Sequence, residues 1–333
     1  MVILSDAVSA HRPLVVVLGP TAVGKSRVAV QVARHFSTEV LAADSRQVYR
    51  GMDIGTDKPT TAERGDIAHR LIDFVDPDDR FNAGRYRQAA VIEVNRLHAA
   101  RQLPLVVGGT GLYIRTLVRG LCPAPPADYQ VRAELLTIGP DRRYAELVRV
   151  DAESARRLHP RDESKVIRAL EVYRLTGEPM SVIHRRHAFE DAPFTPLLIG
   201  LDRPKDQLYR RIEERIDWQL GHGMIEETRA LLEQGYGREL GAMKGLGYRQ
   251  VASHLAGDYD YEAMVRQFKR DTRHFAKRQM TWFRKEPGIT WLNIGKDEAL
   301  EGTVSQVINL IDRFLSSLQE QQPVMQPARE GSV

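Results

Sequence analysis

Apolar residues follow two spacings along this chain. Short, mostly apolar runs lie at Leu14–Leu18, Glu39–Ala42, Leu71–Val75, Leu105–Val107, Leu197–Leu201 and Ile289–Leu292. Runs of that length between turn residues read as strands buried on both faces. Between them, apolar residues recur every three or four positions, the helical period. Ala83 to Arg101 carries Ala90, Val91, Val94 and Leu97 on one face. Arg27–Phe36, Asp206–Gly221, Met224–Gln234, Tyr261–Glu286 and Val304–Leu318 are further expected helices. Strand, helix, strand with short turns predicts a parallel sheet with right-handed crossovers. Ligands of such sheets bind beyond the carboxyl ends of the strands. Residues that follow strands at that end should therefore meet, however distant in sequence.

The pattern changes at Cys122-Pro123-Ala124-Pro125-Pro126, where dense proline opens a linker. From there to Pro196 only helical spacing is found. One helix is expected from Tyr144 to Leu158, stopped before Pro160. A second begins near Asp162, sets Val166, Leu170 and Val172 on its apolar side, and ends at Gly177 with Pro179 beyond. The expected organisation is a core of residues 12–121 and 197–318 with a helical insertion at 122–196. Residues 319–333 form a polar, proline-bearing tail, expected to be disordered.

With 333 residues there is room for one large or two modest domains. No apolar run approaches the ~20 residues of a membrane helix. Met1 to Arg12 lacks the charged start and apolar stretch of a secretory signal. The single cysteine, Cys122, rules out an internal disulfide and a cysteine-based zinc site. A cytoplasmic protein without a membrane partner is expected, and a monomer. Net charge is +4 and the isoelectric point about 9.1, which permits a nucleic-acid partner without requiring one. The basic residues concentrate in Tyr261–Glu286. Arg266, Lys269, Arg270, Arg273, Lys277, Arg278, Arg284 and Lys285 stand there against Glu262, Asp271 and Glu286. Val265, Phe268, Phe275, Trp282 and Phe283 are the buried stripe expected of it. A basic face is often only solvated, but this imbalance of sign favours a polyanion.

Gly19-Pro20-Thr21-Ala22-Val23-Gly24-Lys25-Ser26 matches the phosphate-loop pattern in full, with a strand before it and a helix after it. Its backbone N–H groups can turn on one anion, aided by the positive end of the helix. Lys25 adds a full charge, and the Ser26 hydroxyl can ligate Mg²⁺. The fold expected is α/β: a P-loop NTPase-like parallel sheet core flanked by helices, with an inserted all-helical domain. The loop does not name the phosphate compound. Motor and switch ATPases need a further acidic residue at a strand end. Leu105–Val107 runs instead into Gly108-Gly109-Thr110, which leaves a small-molecule kinase open. Asp44-Ser45-Arg46-Gln47-Val48-Tyr49 follows the second strand. Asp44 there is a base, an acceptor for a nucleophile, or a cap that opens a short helix. Gln47 can pair with a base edge.

These two segments occur in order with Asp53-Ile54-Gly55-Thr56-Asp57-Lys58-Pro59, His69-Arg70-Leu71-Ile72-Asp73 and Gly108-Gly109-Thr110-Gly111-Leu112-Tyr113. Arg168-Ala169-Leu170-Glu171-Val172 and Gly247-Tyr248-Arg249-Gln250 follow. Together they resemble the bacterial tRNA dimethylallyltransferases over roughly residues 12 to 315. Eukaryotic relatives often add a zinc finger, for which this chain has no cysteine pair. The resemblance implies transfer of a dimethylallyl group from dimethylallyl diphosphate to N6 of adenosine 37, beside the tRNA anticodon. The phosphate loop would then hold the leaving diphosphate. Lys25, Mg²⁺ on Ser26 and the backbone donors would neutralise it, and Thr21 would hydrogen-bond a phosphate oxygen. Asp44 would take the N6 proton, and Thr110 would line the channel where the substrates meet. Arg215 is a diphosphate contact or a surface arginine beside Glu213 and Glu214. Asp44, Ser45, Arg46 and Gln47 match the family's adenosine-receiving segment. Arg132 and Ser164-Lys165-Val166-Ile167-Arg168 match tRNA-contacting positions, as does Lys244-Gly245-Leu246-Gly247-Tyr248-Arg249. There Lys and Arg would meet phosphates and Tyr248 could stack. For Val166, Ile167 and Leu246 a core position is the better reading. Val23 replaces the small polar residue usual in the family, and the amide cradle does not need its side chain. The residues themselves leave two other readings, an ATP-using nucleoside or metabolite kinase and a nonenzymatic RNA-binding protein.

Overall fold

The computed structural model describes residues 3–187, 192–295 and 300–321. Its strands are β1 (Pro13–Leu18), β2 (Val40–Ala43), β3 (His69–Arg70), β4 (Leu105–Gly108), β5 (Thr195–Asp202) and β6 (Ile289–Asn293). They form one sheet in the order β3-β2-β4-β1-β5-β6, every pair parallel. All residues of β1, β2 and β4 are buried, as their unbroken apolar runs require. Alternate β1 residues serve opposite layers. Val15 and Val17 pack with the helices Lys25–Phe36, Lys205–Gly221, Tyr261–Phe283 and Leu300–Glu320. Leu14, Val16 and Leu18 pack with Ala83–Ala99 and Gly111–Arg119.

Register fixes where the loops emerge. Leu18 pairs with Gly108, and Gly108 also pairs with Ala43. The ends of β1, β4 and β2 are therefore level. The segments that leave them, Gly19–Ser26, Gly109–Thr110 and Asp44–Tyr49, start side by side. A third cluster, built on Val48, Tyr49, Met52, Met224, Tyr248 and Met264, supports the last of these.

The chain divides into two compact units, Met1–Val118 with Phe194–Val333, and Arg119–Pro193. The second contains the helices Tyr129–Thr137, Pro140–Val150, Ala152–Arg157, Glu163–Thr176 and Met180–His187. Leu135, Leu147, Ala155, Val166, Ile167 and Leu170 form its core.

Four expectations need correction. Leu71–Val75 is not a strand, because Leu71 and Asp73 have φ of 61° and 59°, a left-handed backbone that cannot extend. Pairing ends with β3 just before it, and only Val75 bridges to Tyr49. Tyr144–Leu158 is two helices rather than one. Buried Asp151 breaks it: Oδ1 accepts the Ser154 N–H (2.9 Å) as an N-cap, and Oδ2 accepts the Ser181 N–H (3.0 Å). The last helix starts at Leu300 and runs through Glu320, so the polar tail does not begin at 319; residues 322–333 lie outside the described residues. The stripe of Tyr261–Phe283 is Met264, Phe268, Thr272, Ala276, Gln279 and Phe283. Val265, Phe275 and Trp282 are only half-buried.

Candidate active site

The phosphate loop leaves β1 at Gly19 and enters its helix at Lys25. Gly24 has φ of 114°, a value only glycine takes without strain. The amides of Lys25 and Ser26 open the helix and have no intrahelical acceptor, which leaves them available to an anion at the helix start. Lys25 is half-buried and donates to the Pro20 carbonyl (2.8 Å). Burial pulls its pKa down to about 8, against the raising pull of Asp44. Arg215 lowers it further and Asp57 raises it, so four charges converge on the loop.

Arg215 reaches the loop from the helix Lys205–Gly221. It donates to Thr21 Oγ1 (2.8 Å) and to Asp57 Oδ2 (2.7 Å), so it is not simply a surface arginine beside Glu213 and Glu214. Its buried Nε has no hydrogen-bond partner among the described residues. One turn earlier, Arg211 donates to the Ala22 carbonyl (2.9 Å). That bond holds Ala22 in its left-handed conformation, φ 63°. Sequence reasoning missed Arg211, although its i, i+4 spacing to Arg215 puts both on one helix face.

Asp44 leaves β2 and behaves partly as the cap it resembles. Its Oδ1 accepts the Arg46 N–H (2.8 Å) and the Gln47 N–H (3.4 Å), but a turn follows rather than a helix. No described residue hydrogen-bonds its Oδ2. Thr110 lies across from it: Oγ1 accepts the Ser45 N–H (2.9 Å) and its hydroxyl donates to Ser45 Oγ (3.3 Å). The Thr110 N–H donates to the Ala43 carbonyl (3.1 Å). Arg46 turns away from Asp44 and donates to the Gly241 carbonyl (2.7 Å). That brings the Asp44 segment against Gly245 of the Lys244–Arg249 segment. Gln47 Nε2 donates to the Asp57 carbonyl (2.9 Å), leaving its Oε1 without a described partner. Lys58, buried, holds this loop by donating to Asp53 and Asp73 (2.6 Å each).

Six residues of the expected RNA-contacting segments are packed in a core or held by a buried partner. Tyr248 is 1% exposed, and its hydroxyl donates to Glu227 Oε1 (2.6 Å). A ring with no free face cannot stack on a base. Glu227 also accepts the N–H groups of Asp53, Ile54 and Gly55, which fastens that loop. Val166 and Ile167 lie in the core of the second unit, and Leu246 packs on the core of the first. Arg132 makes two parallel bonds to Glu171 (2.8 and 2.9 Å), and Arg168 donates to the same fully buried carboxylate (2.6 Å). Ser164, Lys165, Lys244 and Arg249 are exposed.

A second residue that joins the site was not foreseen. Gln279, on the helix Tyr261–Phe283, accepts the Thr21 N–H (2.9 Å) and donates to the Gly109 carbonyl (2.9 Å). On the outer side of that helix His274, Lys277, Arg278, Thr281, Trp282 and Lys285 line a groove of about 460 Å³. No described helix is long and apolar enough to cross a membrane.

Fold and site define a phosphate-loop α/β protein with a carboxylate at the rim of its anion cradle. Comparison with known proteins narrows this. The family model described as IPP transferase matches residues 47–286, and the chain belongs to that family. A Syntrophobacter fumaroxidans protein named tRNA dimethylallyltransferase is 47% identical over 292 residues, 86% of this chain and 85% of that protein. A Natranaerobius thermophilus protein of the same name is 42% identical over 315 residues, 92% of this chain and 94% of its own. The crystal structure of a tRNA isopentenylpyrophosphate transferase from Bacillus halodurans is similar at a TM-score of 0.71 and 34% identity, covering 92% of this chain and 98% of that one. A eukaryotic dimethylallyltransferase solved acting on tRNA matches at a TM-score of 0.80 and 28% identity, over 95% of this chain and 81% of that one.

Proposed function

We infer that the chain is a tRNA dimethylallyltransferase, moving the dimethylallyl group of dimethylallyl diphosphate to N6 of adenosine 37 and releasing diphosphate. The observation that carries this is the level ending of β1, β2 and β4, which sets an anion cradle beside an open carboxylate oxygen. A kinase needs the cradle but has no use for the basic outer face of the helix Tyr261–Phe283.

In the reaction the allylic C–O bond breaks, a C–N bond forms, and the amine loses a proton. Negative charge builds on the departing diphosphate. Lys25, Arg215 and the free amides of the loop are fixed donors for it, the largest electrostatic task of such a site. Asp44 Oδ2 receives the proton, and its Oδ1 bonds keep the carboxylate oriented. Thr110 holds the Ser45 backbone, and so fixes where Asp44 points. The family implies Mg²⁺, and the exposed Ser26 hydroxyl at the helix start fits it. Among the described residues no cluster of three His, Cys, Asp or Glu could hold a metal. Ser26 would share the ion with the diphosphate substrate. When bound, it adds charge neutralisation to the leaving group. The target adenosine must leave its stack, at small cost in a single-stranded loop. Arg46, Lys244, Arg249 and the groove residues of the basic helix offer positive charge to the anticodon stem-loop. The work belongs to the cytoplasm, where tRNA is modified and Cys122 stays a thiol.

The test is mass analysis of tRNA nucleosides after incubation with purified protein, dimethylallyl diphosphate and Mg²⁺. Dimethylallyladenosine at position 37 is expected. No transfer at any Mg²⁺ concentration, with ATP γ-phosphate consumed without tRNA, would establish the kinase instead.

A further inference from the structure

Gln279 is the point where the two halves of the site and the basic helix meet. It is 7% exposed and lies far from both partners in sequence. Its amide oxygen holds Thr21, whose hydroxyl in turn accepts from Arg215. Its amide nitrogen holds the Gly109 carbonyl, next to Thr110, which fixes Ser45 and so Asp44. The leaving-group side and the proton-accepting side are thus tied to one planar amide. Only a side chain that both donates and accepts can do this. Glutamate cannot donate to Gly109, and methionine does neither. The space is equally specific, since a methyl group on Gly109 would sit 2.5 Å from Gln279 Nε2. On the other side of the same helix, Lys277, Arg278 and Thr281 are exposed and border the basic groove. A rigid helix cannot be fixed on that face without fixing Gln279 on this one.

We propose that Gln279 is a positioning residue that makes RNA binding on the basic helix and diphosphate binding in the phosphate loop mutually dependent. The proposal rests on the transferase reading above. RNA that docks on the helix holds Gln279 in register, and the loop then receives diphosphate preformed. By reciprocity, diphosphate must tighten RNA binding by the same factor.

The experiment measures pyrophosphate affinity by calorimetry, with and without an anticodon stem-loop RNA, alongside transfer activity. In the unmodified chain the RNA should tighten pyrophosphate binding about tenfold, within the range of known couplings. In Gln279→Met, and by a second route in Gly109→Ala, the coupling should fall below about twofold. There KM for RNA at saturating dimethylallyl diphosphate should rise about fivefold or more while RNA affinity without diphosphate moves less than about twofold, a split that loss of fold alone would not give. If either variant fails to fold, hydrogen exchange on the unmodified chain decides: RNA alone must slow exchange at Thr21 and its neighbours. Transfer without any coupling, coupling that survives both variants, or unprotected loop amides would each overturn the proposal. Absence of transfer in the unmodified chain would instead overturn the transferase reading.

Discussion

Two clusters of cations in this molecule look alike in sequence and differ in physics. In the cradle, Lys25 and Arg211 donate to the carbonyls of Pro20 and Ala22, and Arg215 to the Thr21 hydroxyl and an exposed carboxylate, Asp57. In the second unit, Arg132 and Arg168 close on Glu171, which is fully buried and also accepts the Asp128 N–H. A cation held by neutral oxygens keeps its charge for an incoming anion. A cation held by a buried carboxylate has already been neutralised. Family resemblance singles out Lys25, Arg215, Arg132 and Arg168 alike; only their partners separate ligand-binding from architecture.

The sharpest way to test the cradle side is Asp44→Ala. Transfer in single-turnover assays should fall by about 10²–10⁴-fold, the usual contribution of a positioned base. Pyrophosphate affinity should hold or rise slightly, because a carboxylate that faces Lys25 is gone. A variant with full turnover would remove Asp44 from the chemistry and leave it a turn-former. The matching test of the other cluster is Glu171→Gln. It leaves two guanidinium groups without their counter-charge, at a cost of about 3 kcal/mol in urea unfolding. Turnover on saturating RNA should survive. Unchanged stability with lost RNA binding would reverse the comparison and make Arg132 and Arg168 contacts rather than braces.

What the sequence revealed follows the same division. Apolar runs marked β1, β2 and β4, because burial on both faces leaves no other composition, and they marked β5 and β6 although no residue of β6 is buried. The phosphate loop was legible because its chemistry is local: one strand, one loop, one helix end. The meeting of Asp44 and Thr110 with the loop also followed, from parallel topology alone. The misses are contacts between distant segments. Gln279 lies in a stretch rich in Lys and Arg, and its polarity hid its place in the buried stripe. The motif tyrosine Tyr248 reads as a ring that could stack on a base, yet it is 1% exposed. The left-handed Leu71 and Asp73 hid within an apolar run because no residue type there announces positive φ.

A smaller effect sharpens the claim that Lys25 keeps its charge for a ligand. Burial lowers its pKa to about 8 in the free protein, and a bound anion must raise it again. Binding below pH 8 therefore meets a charged lysine, while binding above it requires proton uptake. Pyrophosphate affinity should weaken as pH rises through 8, by up to about tenfold per unit until the bound-state pKa is reached. The comparison is with Lys25→Arg, which stays charged and cancels the titration of pyrophosphate itself. Parallel pH profiles for the two proteins would mean that Lys25 does not meet the anion.

The smallest expected change concerns Tyr248, where family likeness and structure point in opposite directions. Tyr248→Phe removes one hydrogen bond to Glu227 and nothing from the surface. Glu227 still accepts three backbone N–H groups, so its carboxylate is not left bare. The loss should then stay near the ordinary value for one bond, about 1 kcal/mol of unfolding free energy. RNA affinity, measured by anisotropy with an anticodon stem-loop, should not move. A tenfold loss of RNA affinity at unchanged stability would require this ring to leave the core when RNA arrives. That would mean that the Asp53–Gly55 loop, fastened through Glu227, is released in the same step, and that the architecture of this corner is a binding surface held closed.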